Sequence, residues 1–316
     1  MNRVVITGMG IWSCLGQTLD DVRQSLFEGK SGIIFSQERK DAGFRSALCA
    51  NVPMPNLKPF VARNMRQFMP EEAQYAYMAT KDALEAAKID QDFLDSHEVG
   101  IIYGNDSVAE ATMKALDKFR EFKDTSACGS GAIFQSMNST VTMNLACLFK
   151  LRGINLTSSA ACASSSLAIG NAYLLIKNGL QDCIICGGAQ EANMYSIAPF
   201  DGIQAFSTRE DEPTKASRPF DKDRDGLVPG GGAATVILES YEHAVKRGAP
   251  ILAEDVGWGF SGNGDHISTP NVAGPARSLE LALKNGGIDP KQIGYINAHA
   301  TSTHAGDGRE AMAIAQ

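Results

Sequence analysis

Cys162 and His299 are the two side chains whose types and settings could carry covalent chemistry. Cys162 lies in the run Ile154-Asn-Leu-Thr-Ser-Ser-Ala-Ala-Cys162-Ala-Ser-Ser-Ser-Leu-Ala-Ile-Gly170. A β-prone stretch passes into small residues, and a helical stretch then continues to Gly179 with Leu167, Leu174 and Leu175 as its apolar stripe. This spacing predicts a cysteine in a strand-to-helix turn, close to the helix N-terminus. Backbone N–H groups without intrahelical partners, together with the helix macrodipole, favour a thiolate there. The same N–H groups can bind the oxyanion of a tetrahedral acyl intermediate. Flanking Ala and Ser leave a substrate chain room to approach. A small cysteine filling a tight helix–strand contact fits the same residues.

His299 stands in Tyr295-Ile-Asn-Ala-His299-Ala-Thr301-Ser-Thr303-His304-Ala-Gly306-Asp307, predicted to lie just past a strand on a loop of small and hydroxyl residues. In open α/β sheets ligands gather at the carboxyl ends of strands, so Cys162 and His299 share one topological position. His97, His243 and His266 lie in polar or amphipathic surroundings and read as surface residues.

The elements that must position these residues alternate. Residues 4–8, 99–103, 154–158, 183–186 and 234–238 read as strands, with 4–8 apolar on both faces and therefore buried. Thr18 begins a helix that Gly29 ends, and residues 70–88, rich in Ala, Glu, Met and Lys, form the clearest helix. Helices between strands predict a largely parallel sheet. The segment 207–228, charged and aperiodic with two prolines, reads as an ordered surface excursion with a solvated charged face. ALEAAKID before VGIIYG echoes LALKNGGID before IGYINAH. If the echo is more than coincidence, the fold is duplicated: a first half over 1–248 holding Cys162, and a second over 249–316. The last helix, 308–315, runs to the end of the sequence, so the second half is expected to be incomplete.

Composition excludes several classes. The 316 residues are 44% hydrophobic and 21% charged, with a formal net charge of −7 and no Lys/Arg block, so no nucleic-acid footprint is visible. No run approaches the roughly 18 apolar residues of a membrane span, and the apolar start meets Gly8 too early for a signal peptide. Seven Cys at irregular spacing fit a reducing, cytoplasmic compartment. Cys183 and Cys186 form a C-x-x-C, but on a strand they would face opposite sides, and no second pair completes a metal site.

The motifs resemble those of the β-ketoacyl synthases, condensing enzymes of the thiolase-fold superfamily. The family's Ser-x-Ala-Cys-Ala-(Ser/Thr)-Ser is similar to Ser159-Ala-Ala-Cys162-Ala-Ser-Ser165 here, and His-Gly-Thr-Ser-Thr-x-x-Gly-Asp to His299-Ala-Thr-Ser-Thr-His-Ala-Gly-Asp307, with Glu310 following. Arg218-Pro-Phe-Asp-Lys-Asp-Arg-Asp-Gly-Leu-Val228 resembles Arg-Pro-Phe-Asp-x-x-Arg-Asp-Gly-Phe-Val, and the opening Val-Ile-Thr-Gly-Met-Gly, Gly29-Lys-Ser-Gly and Gly187-Gly188 with Glu191 also match. Gly231 and Gly232, where many relatives carry an acid, point to the type-I-like elongating branch.

The resemblance implies a layered αβαβα fold of two duplicated α/β halves. It also implies an acyltransferase in fatty-acid or related synthesis, in which Cys162 takes an acyl group from acyl carrier protein and condenses it with malonyl-carrier protein, lengthening the chain by two carbons. By resemblance His299 stabilises the enolate, and Thr301 and Thr303 line the pantetheine channel. Met194 and Phe200 are candidates for the acyl pocket or for core packing; Arg63 and Arg66 for carrier docking or a solvated face. A homodimer is expected, with no metal and no cofactor, since phosphopantetheine arrives on the carrier. The alternatives are a non-catalytic chain-length-factor-like partner subunit and a coenzyme A-dependent thiolase-type acyltransferase. Departures are Ala300 for the usual Gly, where a positive φ would be strained, and His304 where Pro is common. The family's later Lys, second histidine and Gly-rich loop are not in the sequence, which is expected to be C-terminally truncated.

Overall fold

The computed structural model describes Met1–Gln316. Two compact units interleave along the chain. One comprises Met1–Lys30, Asn51–Pro199 and Gly230–Asp255, the other Ser31–Ala50, Phe200–Pro229 and Val256–Gln316. No helix is long and apolar enough to cross a membrane. In chain order the strands are β1 (Val4–Trp12), β2 (Ile33–Phe35), β3 (Leu48–Ala50), β4 (Val99–Gly104), β5 (Asn155–Ser158), β6 (Cys183–Gln190), β7 (Gly232–Ser240) and β8 (Ala253–Asp255).

The first unit is built on a six-stranded sheet of order β5-β4-β6-β7-β1-β8. The expectation of a largely parallel sheet is corrected. β4 runs parallel to β5 and β6, whereas β6–β7, β1–β7 and β1–β8 are antiparallel. The cause lies in the connection: the excursion joining β6 to β7 holds only one short α-helix, Met194–Asp201, and no helix long enough to recross the sheet, so β7 re-enters beside the end where β6 left and runs back along it.

Alternation along the strands splits the core between two faces. Val99, Ile101 and Tyr103 of β4 and Cys183 and Ile185 of β6 share one core with the helix Thr140–Phe149, which packs on β4, and the helix Glu71–Ala86, which packs on β1, β7 and β6 and whose Ala73, Ala76, Ala79 and Ala83 are fully buried. Across that face Tyr103 Oη lies 2.9 Å from Thr235 Oγ1, which lies 3.1 Å from Thr80 Oγ1. On the opposite face lie Ile102, Gly104, Ile184 and Cys186, and the helix Ser164–Lys177 covers them. Cys183 and Cys186 thus face opposite sides as expected, and burial pushes both thiol pKa values well up. His243, expected at the surface, is half-buried, its Nδ1 2.7 Å from buried Glu239.

Glu72 is an anomaly of this core. It is completely buried, neither carboxylate oxygen has a hydrogen-bond partner, and Glu191, Glu71 and Glu110 are its charged neighbours. Desolvation first, and then these carboxylates, push its pKa from the ordinary 4.5 up to about 8. Between those values the folded state holds a proton that the unfolded chain releases. This group therefore makes stability fall as pH rises through that window, by at most about 1.4 kcal/mol per pH unit. Glu72→Gln is expected to flatten the fall, measured as urea midpoints across that pH range. An unchanged pH dependence contradicts it.

The second unit holds the β2–β3 hairpin, where Asp201 accepts hydrogen bonds from the backbone N–H groups of Arg45 (2.7 Å) and Ser46 (3.3 Å). It also holds the helices Ala273–Gly286 and His304–Ala315. The sequence echo is a geometric one through its turn. Lys88 and Gly287 are both left-handed (φ 56° and 63°), the N–H groups of Ile89 and Ile288 bond back to Leu84 and Leu283, and Asp90 and Asp289 each cap the next turn. The copies then diverge: 99–104 is β4, whereas 293–298 forms no strand, correcting the expectation for the residues before His299. A strand exists only through ladder bonds to a neighbour, and no other part of the chain pairs with this segment.

Candidate active site

Cys162 follows β5 by four residues and precedes the helix Ser164–Lys177, whose N-cap is Ala163. The strand-to-helix turn expected from the small residues is formed, and Cys162 is exposed on it rather than packed inside. The helix start can sit this close to the sheet because of two glycines. A Cβ on Gly104 would lie 2.5 Å from Ser165 N, and one on Gly188 2.5 Å from Ser165 Cβ. The turn is drawn tight by its own residues: Ser164 Oγ accepts from Ala160 N–H (2.8 Å) and donates to Ala161 O (2.7 Å). Ala161, immediately before Cys162, is left-handed with φ 48°, which costs a non-glycine residue about 1–2 kcal/mol. The helix's first turn carries no acidic side chain, so its N-terminal dipole is not offset from within.

His299 is exposed, on a loop fixed from both sides within the second unit. Glu310, one turn and a half into the following helix, accepts the backbone N–H groups of His299 (2.6 Å) and Ala300 (2.8 Å). Ala300 has φ 50°, the strained conformation anticipated where relatives carry Gly, and Ser302 has φ 66°. Thr303 caps the helix His304–Ala315 by accepting Gly306 N–H at 3.0 Å, and its hydroxyl lies 2.9 Å from that of Thr301.

The second support was missed by sequence reasoning. Fully buried Asp307 accepts the N–H of Ser302 (3.0 Å) and of Phe220 (2.8 Å), and pairs with Arg224 Nε at 3.1 Å. Ser302 Oγ accepts Arg218 N–H (3.0 Å), and Gly226 N–H bonds to Ser302 O (3.0 Å). The charged excursion 207–228 is therefore not only a solvated face. Arg224, with 13% of its side chain exposed, and the backbone of 218–226 clamp the histidine loop. Its arginines and aspartates, set among Pro, Phe and Gly, were the available signal.

The remaining candidates divide between the units. Met194 is half-buried at the start of the helix Met194–Asp201. Phe200 is 47% exposed and stacks on Phe206 with ring centroids 5.8 Å apart. Met194 does not line the roughly 780 Å³ cavity of the first unit, which is walled by Met69, Glu71, Tyr75, Lys114, Cys128 and Gln135. Arg63 is exposed and Arg66 half-buried on the short helix Arg63–Arg66, and neither forms an ion pair within the chain.

With a mixed six-stranded sheet helix-covered on both faces, and a cysteine on the strand-to-helix turn, the architecture is that of the thiolase-like condensing enzymes. The comparisons narrow this. The sequence profile of the β-ketoacyl synthase N-terminal domain matches residues 1–244, and that of the β-ketoacyl synthase C-terminal domain residues 252–316. The 3-oxoacyl-[acyl-carrier-protein] synthase 1 of Haemophilus influenzae is 38% identical over 99% of this chain and 77% of its own length. A synthase 2 from Vibrio cholerae is 35% identical over 99% and 76%. The crystal structure of a β-ketoacyl synthase from Burkholderia phymatum, 37% identical, superposes with a TM-score of 0.95 over 100% of this chain and 78% of that one. The chain belongs to the β-ketoacyl synthase family, acyltransferases that condense an acyl chain with a malonyl unit.

Proposed function

We propose that this chain elongates fatty acyl or related chains held on acyl carrier protein, with Cys162 as the acyl-bearing nucleophile and His299 as the enolate-stabilising group. The supporting observation is Cys162 itself, exposed on the turn before an N-terminal helix dipole that no acidic side chain of its first turn offsets. In the first half-reaction the Cys162 thiolate attacks the carbonyl of the carrier-bound thioester. The tetrahedral oxyanion is held by N–H groups at the turn, and the carrier thiol leaves with a proton. In the second, malonyl-carrier protein loses CO₂, and the electron pair of the broken C–C bond becomes an enolate whose oxygen accepts a hydrogen bond from His299. The enolate carbon then attacks the Cys162 thioester, forming the new C–C bond and releasing the thiolate.

Thr301 and Thr303 present hydroxyls to the pantetheine arm besides holding the loop, Met194 and Phe200 contribute to the acyl pocket, and Arg63 and Arg66 meet the acidic carrier. The chemistry as drawn needs no metal and no organic cofactor. The working form is a cytoplasmic homodimer. Strand β5, at the edge of the sheet with Leu156 48% exposed, and the exposed apolar residues Phe119, Phe122, Ile133 and Phe134 of the same unit support a protein partner there. A pocket-shaping partner without chemistry of its own is disfavoured because Cys162 and His299 are both present.

Incubation with acyl-carrier protein and malonyl-carrier protein is expected to release CO₂ and yield a β-ketoacyl-carrier product two carbons longer. Product formed only with coenzyme A thioesters contradicts the carrier-protein assignment.

A further inference from the structure

Asp106, the second residue after β4, is tied to the nucleophile turn although 53 to 55 positions separate them. Asp106 Oδ1 accepts the hydroxyl of Ser159 at 2.8 Å and the backbone N–H of Ala161 at 2.8 Å. Its own backbone is anchored independently. Asn105 N–H bonds to Ser158 O (3.1 Å), Asn105 Nδ2 donates to Asn138 O (2.9 Å), and Asn138 Nδ2 donates to Asp106 O (2.8 Å). Asn105 is itself 1% exposed, so the backbone that carries Asp106 is rigidly mounted, while the carboxylate's own bonds to Ser159 and Ala161 lie at the solvent-exposed turn. The bond lands on Ala161, the one residue of the turn held at positive φ and the neighbour whose peptide plane sets the direction of the Cys162 side chain.

We propose that Asp106 is a positioning residue for Cys162: its carboxylate bridges Ser159 and Ala161 and holds the peptide before the cysteine in the left-handed conformation that presents Sγ at the surface. This rests on the reading of Cys162 as the nucleophile. An alanine at this φ returns to the extended region unless something holds it, because its Cβ crowds the backbone there. An N–H bound to an anchored carboxylate is such a hold, since hydrogen bonds to charged groups are the stronger ones. The amide of an asparagine keeps an acceptor oxygen in the same place, and a glycine at 161 removes the need for the hold.

The test is alkylation of Cys162 by iodoacetamide in the full chain, followed peptide by peptide by mass spectrometry, with exposed Cys147 as internal control. Asp106→Ala is expected to slow Cys162 alkylation about tenfold, the loss of roughly one charge-assisted hydrogen bond, with Cys147 unchanged. Asp106→Asn restores the rate to within about threefold of the parent. In an Ala161→Gly background, Asp106→Ala slows it by less than about threefold. Equal rates for parent and Asp106→Ala, failure of asparagine to rescue, or the same loss in the glycine background each overturn the positioning role. Alkylation of Cys147 but not Cys162 in the parent chain overturns instead the nucleophile reading, and the proposal with it.

Discussion

Cys162→Ala is expected to abolish transfer of an acyl group from carrier protein to the enzyme, with condensation falling by about four orders of magnitude or more, as when an activated nucleophile is removed. The effect is chemical rather than structural. Cys162 is exposed, and the turn that holds it is built by Ser164, Asp106 and the glycine contacts of the helix start. The melting temperature should therefore stay close to the parent's, separating loss of chemistry from loss of fold. Decarboxylation of malonyl-carrier protein needs no bond to Cys162 and is expected to survive in this variant at a measurable rate. Retained acyl transfer, monitored as radiolabelled acyl group on precipitated protein, contradicts the assignment.

The second large effect is on stability. Asp307→Ala removes a fully buried carboxylate that pairs with Arg224 and accepts two backbone N–H groups. The loss leaves a largely buried guanidinium without its carboxylate and the amides of Ser302 and Phe220 without an acceptor. Breaking one partner of such a pair is worth about 3–5 kcal/mol, and in a chain of this size that lowers the melting temperature by about 5–8 °C. Asp307→Asn, which keeps an acceptor but not the charge, should fall in between. Because Ser302 directly follows Thr301 and lies three residues from His299, condensation should drop more than acylation of Cys162 in any Asp307 variant that still folds. A shift of less than about 2 °C for the alanine variant contradicts the clamp.

Local features of the site were legible in the sequence, and long-range ones were not. Small residues around Cys162, the β-prone run before it and the apolar stripe after it define the turn, because helix starts and strand ends are set by neighbouring residues. Thr18 as a cap and the buried strands were readable for the same reason, whereas the last helix begins at His304, capped by Thr303, four residues before the expected start. Two expectations failed where partners decide. The direction of β7 depends on how a 41-residue connection closes, and 293–298 has strand composition but no neighbour to pair with. The supports of the site were hidden because they act across the chain: Asp106 reaches Ala161 55 positions away, and Asp307 reaches Phe220 at 87. Nothing in the composition of either segment names its partner. The charges of 207–228 read as solvated until the structure placed Arg224 on Asp307.

The most direct test of the account is to mix the enzyme with one equivalent of acyl-carrier protein, omit the malonyl donor, and weigh the intact protein and its peptides. A single added acyl group is expected on the peptide containing Cys162, released by hydroxylamine and absent from Cys162→Ala. An acyl group on any other residue, or none on the parent chain, contradicts it.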